Sequence, residues 1–433
     1  MASKTELLAK SAGETGAVSS AIQELDFLGV QAKRTEMPVT EREAQRILAQ
    51  AFQEKKTVLP YGGGTAMGVG LLPGTVDIAL AMTGMNRVLA FDPQNLNMAV
   101  LGGMTLDAIN DYLAGQGKGF FLPLDPPLSH RATIGGVYVT NASGSSRLRY
   151  GTVRDQVLGM RGADARGREV GFGGKTVKNV SGYDLTKFFI GSAGSLCLIT
   201  SISFRVLPLP DASSLCDLIF GRLEELEKFL TALRSSILVP SAVVLTGPAP
   251  KPGLPDPGGL QFRVLISFEG HCQAVERQNK DLLSLARESG GTGGARTGQD
   301  NMVKSLRAVV DPDGLTRDLL ALKVSVPIAQ GPHAYVAIGK LSKEQDLEAK
   351  IALFAGNGVI SVYIKGTHKE GLSRFIAGVK DIGQAAGGYS APIWGHRTLL
   401  SGWGPRVEPA LHRYVLQPLK DKLDPTGVFP PII

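Results

Sequence analysis

The chain has 433 residues, too many for one ordinary core, so two domains or one domain with a large insertion are expected. It is 43% hydrophobic and 20% charged, which excludes wholesale disorder. Lys and Arg number 46 against 39 Asp and Glu, and a net charge of +7 is mild over this length.

In chain order, Met1–Leu28 carries Lys4, Glu6, Lys10 and Glu14 and lacks the apolar core of a secretion signal. Thr40–Glu41–Arg42–Glu43 reads as a capping box that opens a helix with Ala44, Ile47, Leu48 and Ala51 on one face. Thr57–Tyr61 is a short strand running into Gly62-Gly63-Gly64, and further strands are expected at Asp77–Ala81, Arg87–Phe91 and Met98–Leu101. Thr105 caps a helix bearing Leu106, Ile109 and Leu113, and residues 135–210 read as strand-like and punctuated by glycine. Beyond Pro210 the pattern predicts a helix through Leu223–Leu233, a loop or linker at Gly247–Leu260, a strand at Phe262–Phe268 and a helix at Cys272–Glu288. Gly290–Gly298 reads as a flexible loop. Tyr335–Ile338 and Val359–Ile364 read as strands flanking a helix that begins at Ser342–Lys343–Glu344–Gln345, and a last helix runs from Pro409 to Leu423.

Composition narrows the chemistry further. Between Arg147 and Lys187 nine Lys/Arg stand against four Asp/Glu, but aromatics are 6% overall and are not interleaved there, which disfavours a nucleic-acid surface. Cys197, Cys216 and Cys272 are far apart, so neither a disulfide framework nor an iron–sulfur or zinc ligand set is expected. The six histidines form no His-x-His or His-x-x-x-His pair, and no metal site is expected. No run approaches the roughly twenty apolar residues of a membrane span. A cytoplasmic location, with any membrane association through partners, is the expectation.

Three glycine-rich constellations carry the chemical signal. The first is Tyr61-Gly62-Gly63-Gly64-Thr65-Ala66-Met67, where bare backbone N–H groups can approach a phosphate. It is no dinucleotide fingerprint, since Met67 stands where the third glycine belongs, and no Walker loop, since Val69 replaces the lysine. The second is Asp125-Pro126-Pro127, Ala132-Thr133-Ile134-Gly135-Gly136 and Thr140-Asn141-Ala142-Ser143-Gly144. The third is Lys178-Asn179-Val180-Ser181-Gly182-Tyr183-Asp184-Leu185 with Gly191-Ser192-Ala193-Gly194-Ser195.

In order and spacing these motifs, with Arg147–Asp155, resemble the FAD-binding domain of the vanillyl-alcohol oxidase superfamily, the PCMH type. Within it they are most similar to the second flavin subunits of glycolate oxidases, the GlcE type. The resemblance covers residues 38–210 and, less fully, Asp424–Pro430. It implies an α+β protein: a two-subdomain FAD-binding domain over 1–210, an antiparallel-sheet α+β cap over 211–395, and a C-terminal segment, 396–433, whose helix returns to the FAD domain. Tyr61, Gly62, Gly63, Gly64, Thr65, Ala66 and Met67 would form the pyrophosphate loop. Asp125, Pro126, Thr133, Gly135, Gly136, Asn141, Ser143 and Gly144 would line the diphosphate, ribityl and ring region. Tyr150, Gly151, Gly194 and Ile199 would hold the remainder. Arg147, Arg149 and Arg154 would supply a positive field, or else face a partner.

Departures refine the expectation. Relatives that attach flavin through a histidine carry it just after the glycine run, where this chain has Thr65 and Ala66, so non-covalent FAD is implied. The metal and Glu-His-Gly motifs of the substrate-oxidising 2-hydroxyacid dehydrogenases are missing. Oxidation of a hydroxy acid needs a base and a cationic clamp. The residues that offer themselves are His396 and Arg397, or His368 with Lys365, and His130 is nearest the cofactor motifs in sequence. The implied function is the FAD-binding subunit of a multi-subunit glycolate or D-lactate dehydrogenase. It would relay electrons to or from a substrate-oxidising FAD subunit and an iron–sulfur subunit. Two alternatives stand beside it: a self-sufficient FAD dehydrogenase with its substrate site in the cap, and a subunit that holds FAD for structure alone.

Overall fold

The computed structural model describes residues 23–174, 184–247, 261–298, 302–366, 369–401, 403 and 409–431. Most of the Lys178–Leu185 motif, nearly all of the Gly247–Leu260 segment, and His368 lie outside the described residues.

Three sheets organise the chain. In the first, Thr75–Ala81 lies between Gln31–Glu36 and Val58–Tyr61, all parallel. Helix Glu41–Gln53 joins two of these strands. The Thr40 hydroxyl accepts from the Glu43 N–H, the Glu43 carboxylate accepts from the Val39 N–H, and Ala44, Leu48 and Ala51 are buried. The second sheet has five antiparallel strands in the order Val88–Asp92, Asn97–Leu101, Leu198–Arg205, Val157–Ala163, Glu169–Gly173. Helices Leu106–Ala114 and Ile134–Thr140 accompany it, capped by the hydroxyls of Thr105 and Thr133. The third is an eight-stranded antiparallel sheet drawing strands from Ala212–Phe220 to Tyr389–Trp394. Leu320, Leu322 and Val324 point to one face of it, into a core with Ile338, Phe375 and Val379. Leu319 and Ala321 point to the other, packing with Tyr363 and Trp394 against Leu25, Leu28 and Tyr61. The architecture is α+β and of the PCMH type.

Several local expectations are corrected. Residues 335–338 are not a strand. They lie inside helix Gly331–Glu344, where Pro332 sits in the first turn and Ala334, Ile338 and Ser342 are buried four residues apart. The box at Ser342–Gln345 therefore ends this helix, and strand Glu348–Phe354 follows. Thr292–Gly298 is an exposed edge strand paired with Ala212–Phe220, since main-chain pairing needs no buried side chains. The start of the 135–210 stretch is the helix Ile134–Thr140.

The end of the chain closes over the first two sheets. After helix Gln417–Leu423, Asp424 accepts from the Val428 and Phe429 N–H groups, and Val58 N–H donates to the Val428 carbonyl. The Lys420 ammonium, 2.7 Å from the Asp424 carboxylate, also donates to the Ser195 carbonyl. Both partners are almost fully buried, so removal of either would strand a charge.

Candidate functional site

The strand that precedes the glycine run ends at Tyr61 and delivers Gly62–Met67 into a cleft between the first two sheets. The opposite wall is Thr133, Gly135 and Gly136 from the start of helix Ile134–Thr140, with Gly194 and Ile199 from the approach to the central strand of the second sheet. Pro430 of the tail completes the rim.

The loop is held from behind. A Cβ at Gly63 would lie 1.7 Å from the Arg131 carbonyl oxygen, so no side chain fits there. Arg131 donates to the Gly63 carbonyl and pairs with buried Glu24, whose other oxygen takes the Tyr61 hydroxyl. Gly194 has φ +74° and open space where a side chain would project, leaving its backbone accessible. Among the described residues no Lys, Arg, Asp, Glu or His lines this cleft. It is a neutral cradle, whose polar character comes from backbone and from Thr65, Thr133 and Thr140.

Thr65, Ala66 and Thr140 are shared with a second cavity that reaches the eight-stranded sheet. Asn141 and Ser143 line it from one side and Lys323, Ser361, Tyr363 and Trp394 from the other. Asn141 ends the Ile134–Thr140 helix in a left-handed conformation, φ +50°, and its buried Oδ1 has no hydrogen-bond partner. A buried acceptor left unpaired costs about 1–3 kcal/mol, so this atom is set for a donor supplied from the cavity. Lys323 sits beside Ser361 and Ala391 on the neighbouring strands, and burial lowers its ammonium below the ordinary lysine range.

Other sequence candidates fall elsewhere. Asp125 and Tyr150 line a separate cavity at the seam with the eight-stranded unit. There the Asp125 carboxylate accepts from Ser145 Oγ and Ser146 N at 2.8 and 3.0 Å, and burial raises its pKa. The Tyr150 hydroxyl donates to Glu269 at 2.6 Å. Gly144 packs on Asp125, Gly151 packs on Asp155, and Pro126 lines none of these cavities.

Arg147, Arg149 and Arg154 do not line the cleft; Arg149 donates to the Glu269 carbonyl and stacks on Tyr150. His130 is exposed and lines neither cavity. His396 and Arg397 pack on Gly29 and Gly74, at the ends of the parallel strands away from the glycine run. Neither belongs to the candidate site. Lys365 pairs with Asp313.

Sequence reasoning missed Lys323, Ser361, Tyr363 and Trp394, which alternate along strands and leave no local motif. It also missed Cys197, which lines the cleft as a buried thiol pushed up to about 12 by burial.

A parallel sheet and an antiparallel sheet enclosing a glycine-lined cleft, with a larger sheet closing one end, define a PCMH-type cofactor-binding fold. The fold agrees with a solved alkyldihydroxyacetonephosphate synthase, TM-score 0.69 at 19% identity over 91% of this chain and 75% of that one. Residues 33–173 match the FAD binding domain family. The chain is 30% identical over 255 residues to the glycolate oxidase subunit GlcD of Bacillus subtilis, 57% of this chain and 53% of that protein. It is 29% identical to the D-lactate dehydrogenase of Archaeoglobus fulgidus over 74% of this chain and 72% of that one. It thus spans about half the length of the first of these relatives. Residues 33–173 are thus similar to FAD-binding domains, and the fold beyond them is similar to that of the solved synthase.

Proposed function

We propose that the chain is an FAD-dependent oxidoreductase subunit of a 2-hydroxyacid dehydrogenase, acting on glycolate or D-lactate within a multi-subunit complex. The observation that carries this reading is the neutral glycine cradle joined at Thr65, Ala66 and Thr140 to a cavity holding a free acceptor and a cation. The names of the similar proteins, a glycolate oxidase subunit and a D-lactate dehydrogenase, support the substrate class.

The residues fit the cofactor. Backbone N–H groups of Gly62–Thr65 would hold the diphosphate, on a loop that a Cβ at Gly63 would displace. Gly135, Gly136, Gly194 and Ile199 line the remainder of the cradle, and Asn141 Oδ1, on the adjoining cavity, would accept from an N–H of the cofactor. Bound FAD supplies the two-electron oxidant. Thr65 and Ala66 offer no nucleophile, and the Cys197 thiol is too weakly acidic to form a thiolate near neutral pH, which supports non-covalent attachment. Three unpaired cysteines suit a reducing, cytoplasmic compartment and are too few to ligate an iron–sulfur cluster. We therefore assign onward transfer to a partner FAD subunit and an iron–sulfur subunit. Among the described residues no helix is long and apolar enough to cross a membrane.

The cavity bearing Lys323 favours a second reading, in which this chain oxidises the hydroxy acid itself. Anaerobic titration of the purified holoprotein with glycolate and with D-lactate tests both. Flavin that bleaches on the isolated chain supports the second reading. Flavin that bleaches only after partner subunits are added supports the first. Flavin that stays oxidised inside the turning-over complex defeats both and leaves a structural role.

A further inference from the structure

We propose that Lys323 is the anion-binding residue of this chain and that the cavity around it accepts a small monocarboxylate rather than a dicarboxylate. The inference rests on the reading of the adjoining cleft as the FAD site.

Among the described residues Lys323 is the single charged side chain lining the cavity, and its ammonium makes no hydrogen bond or ion pair. A cation taken from water without a partner is costly, and structures normally supply a carboxylate or carbonyl to such a group. Here strand Leu319–Ser325 alternates strictly. Leu320, Leu322 and Val324 fill the core behind the sheet, and Lys323 stands with Ala321 on the opposite face. The register places Lys323 beside Ser361, and Ala321 beside both Tyr363 and Trp394. The ammonium thus shares its wall with two hydroxyls and an indole, opposite Asn141 and Ser143. One carboxylate matches one ammonium, and the hydroxyls offer the remaining donors.

The rest of the wall limits the ligand. Leu128, Leu315, Ala321, Val359 and Trp394 are apolar, so a hydrogen or a methyl group on the ligand meets a compatible surface. Among the described residues no second cation lines the cavity, so a second carboxylate would be desolvated against those side chains. Discrimination of this kind arises from leaving a charged group unpaired.

The test uses the holoprotein and two unreactive probes, oxamate as monoanion and tartronate as dianion, read by perturbation of the flavin absorbance. Oxamate is expected to bind, tartronate at least tenfold more weakly. Lys323→Met is expected to weaken oxamate at least tenfold with FAD still bound, and Lys323→Arg to restore most of the affinity. Oxamate binding unchanged in Lys323→Met would overturn the proposal. So would equal affinity for the two probes in the parent protein, a result that stands even if the variant fails to fold. A protein purified without flavin defeats the reading of the cleft instead, whereas bound flavin that oxamate never perturbs defeats this inference alone.

Discussion

The cleft and the cavity beside it meet at Thr65, Ala66 and Thr140, yet they are built from opposite materials. Eight glycines line the cleft, which is close-packed behind Gly63, and among the described residues none that lines it is charged. The cavity is walled largely by side chains, those of one face of the eight-stranded sheet among them, and among the described residues it carries one half-buried cation. A backbone cradle recognises by shape and N–H donors, and its field does not change with pH. A side-chain cavity recognises by charge and volume, and a single substitution can reset it. The molecule thus separates a generic grip from a specific one, with the helix Ile134–Thr140 and its cap Asn141 spanning the two.

The largest expected break in this contrast is Gly63→Ala. The new Cβ would sit 1.7 Å from the Arg131 carbonyl, which is backbone and cannot swing away. The loop must move, at about 3 kcal/mol or more by the usual cost of overpacking. FAD affinity, measured by fluorescence titration of the apoprotein, should fall roughly 100-fold. A fall below threefold would mean that the tight fit behind the loop does not shape the cradle.

The contrast also explains what could be read before any coordinates. The glycine run, Thr133–Gly136 and Asn141 were legible because backbone sites need glycine and small polar residues at consecutive positions. Of the residues singled out, Tyr61–Met67, Thr133, Gly135, Gly136, Gly194 and Ile199 line the cleft, while Asn141 and Ser143 line the cavity. The resemblance also gave the PCMH-type fold. Lys323, Tyr363 and Trp394 were invisible because they share a face only after strands far apart in sequence pair. Asp125 and Tyr150 were drawn toward the site by their motifs, but their side chains are engaged by Ser145, Ser146 and Glu269 at the seam. His396 and Arg397 offered the right chemistry in sequence, but the chain turns at Gly395 and carries them behind the parallel strands.

Asn141→Ala gives a smaller and more selective break. Its Oδ1 is buried without a partner, so truncation removes an acceptor that costs the empty protein free energy. The variant should bind FAD about tenfold more weakly, for a hydrogen bond of roughly 1–1.5 kcal/mol, and its empty form should be no less stable than the parent apart from the lost cap. Thermal melts with and without FAD separate the two effects. A variant with unchanged FAD affinity would show that the acceptor faces something other than the cofactor.

The smallest effect sharpens the contrast through pH. Asp311 lies at the seam beside Leu128 and Pro312 of the cavity wall, and burial raises its pKa to about 6. The Leu128 N–H, Arg307 and Lys350 pull the value down, and Asp125 pushes it up. The folded protein therefore holds this proton more tightly than the unfolded chain. The stability this confers is complete below the ordinary carboxylate pKa near 4 and is lost as pH rises through about 6. Asp311→Asn keeps an acceptor for the Leu128 N–H and removes the loss. It should melt about 2 °C above the parent at pH 7.5 and level with it near pH 4.5, about 1 kcal/mol once partial exposure is allowed for. Among the described residues the titratable groups of the cleft are Tyr61 and Cys197, and burial raises the pKa of both, so neither ionises between pH 6 and 8. FAD affinity should then vary less than about twofold over that range while the melting difference develops, since a backbone cradle has no proton to lose. A parallel pH dependence of FAD binding would mean that the seam and the cleft open as one unit.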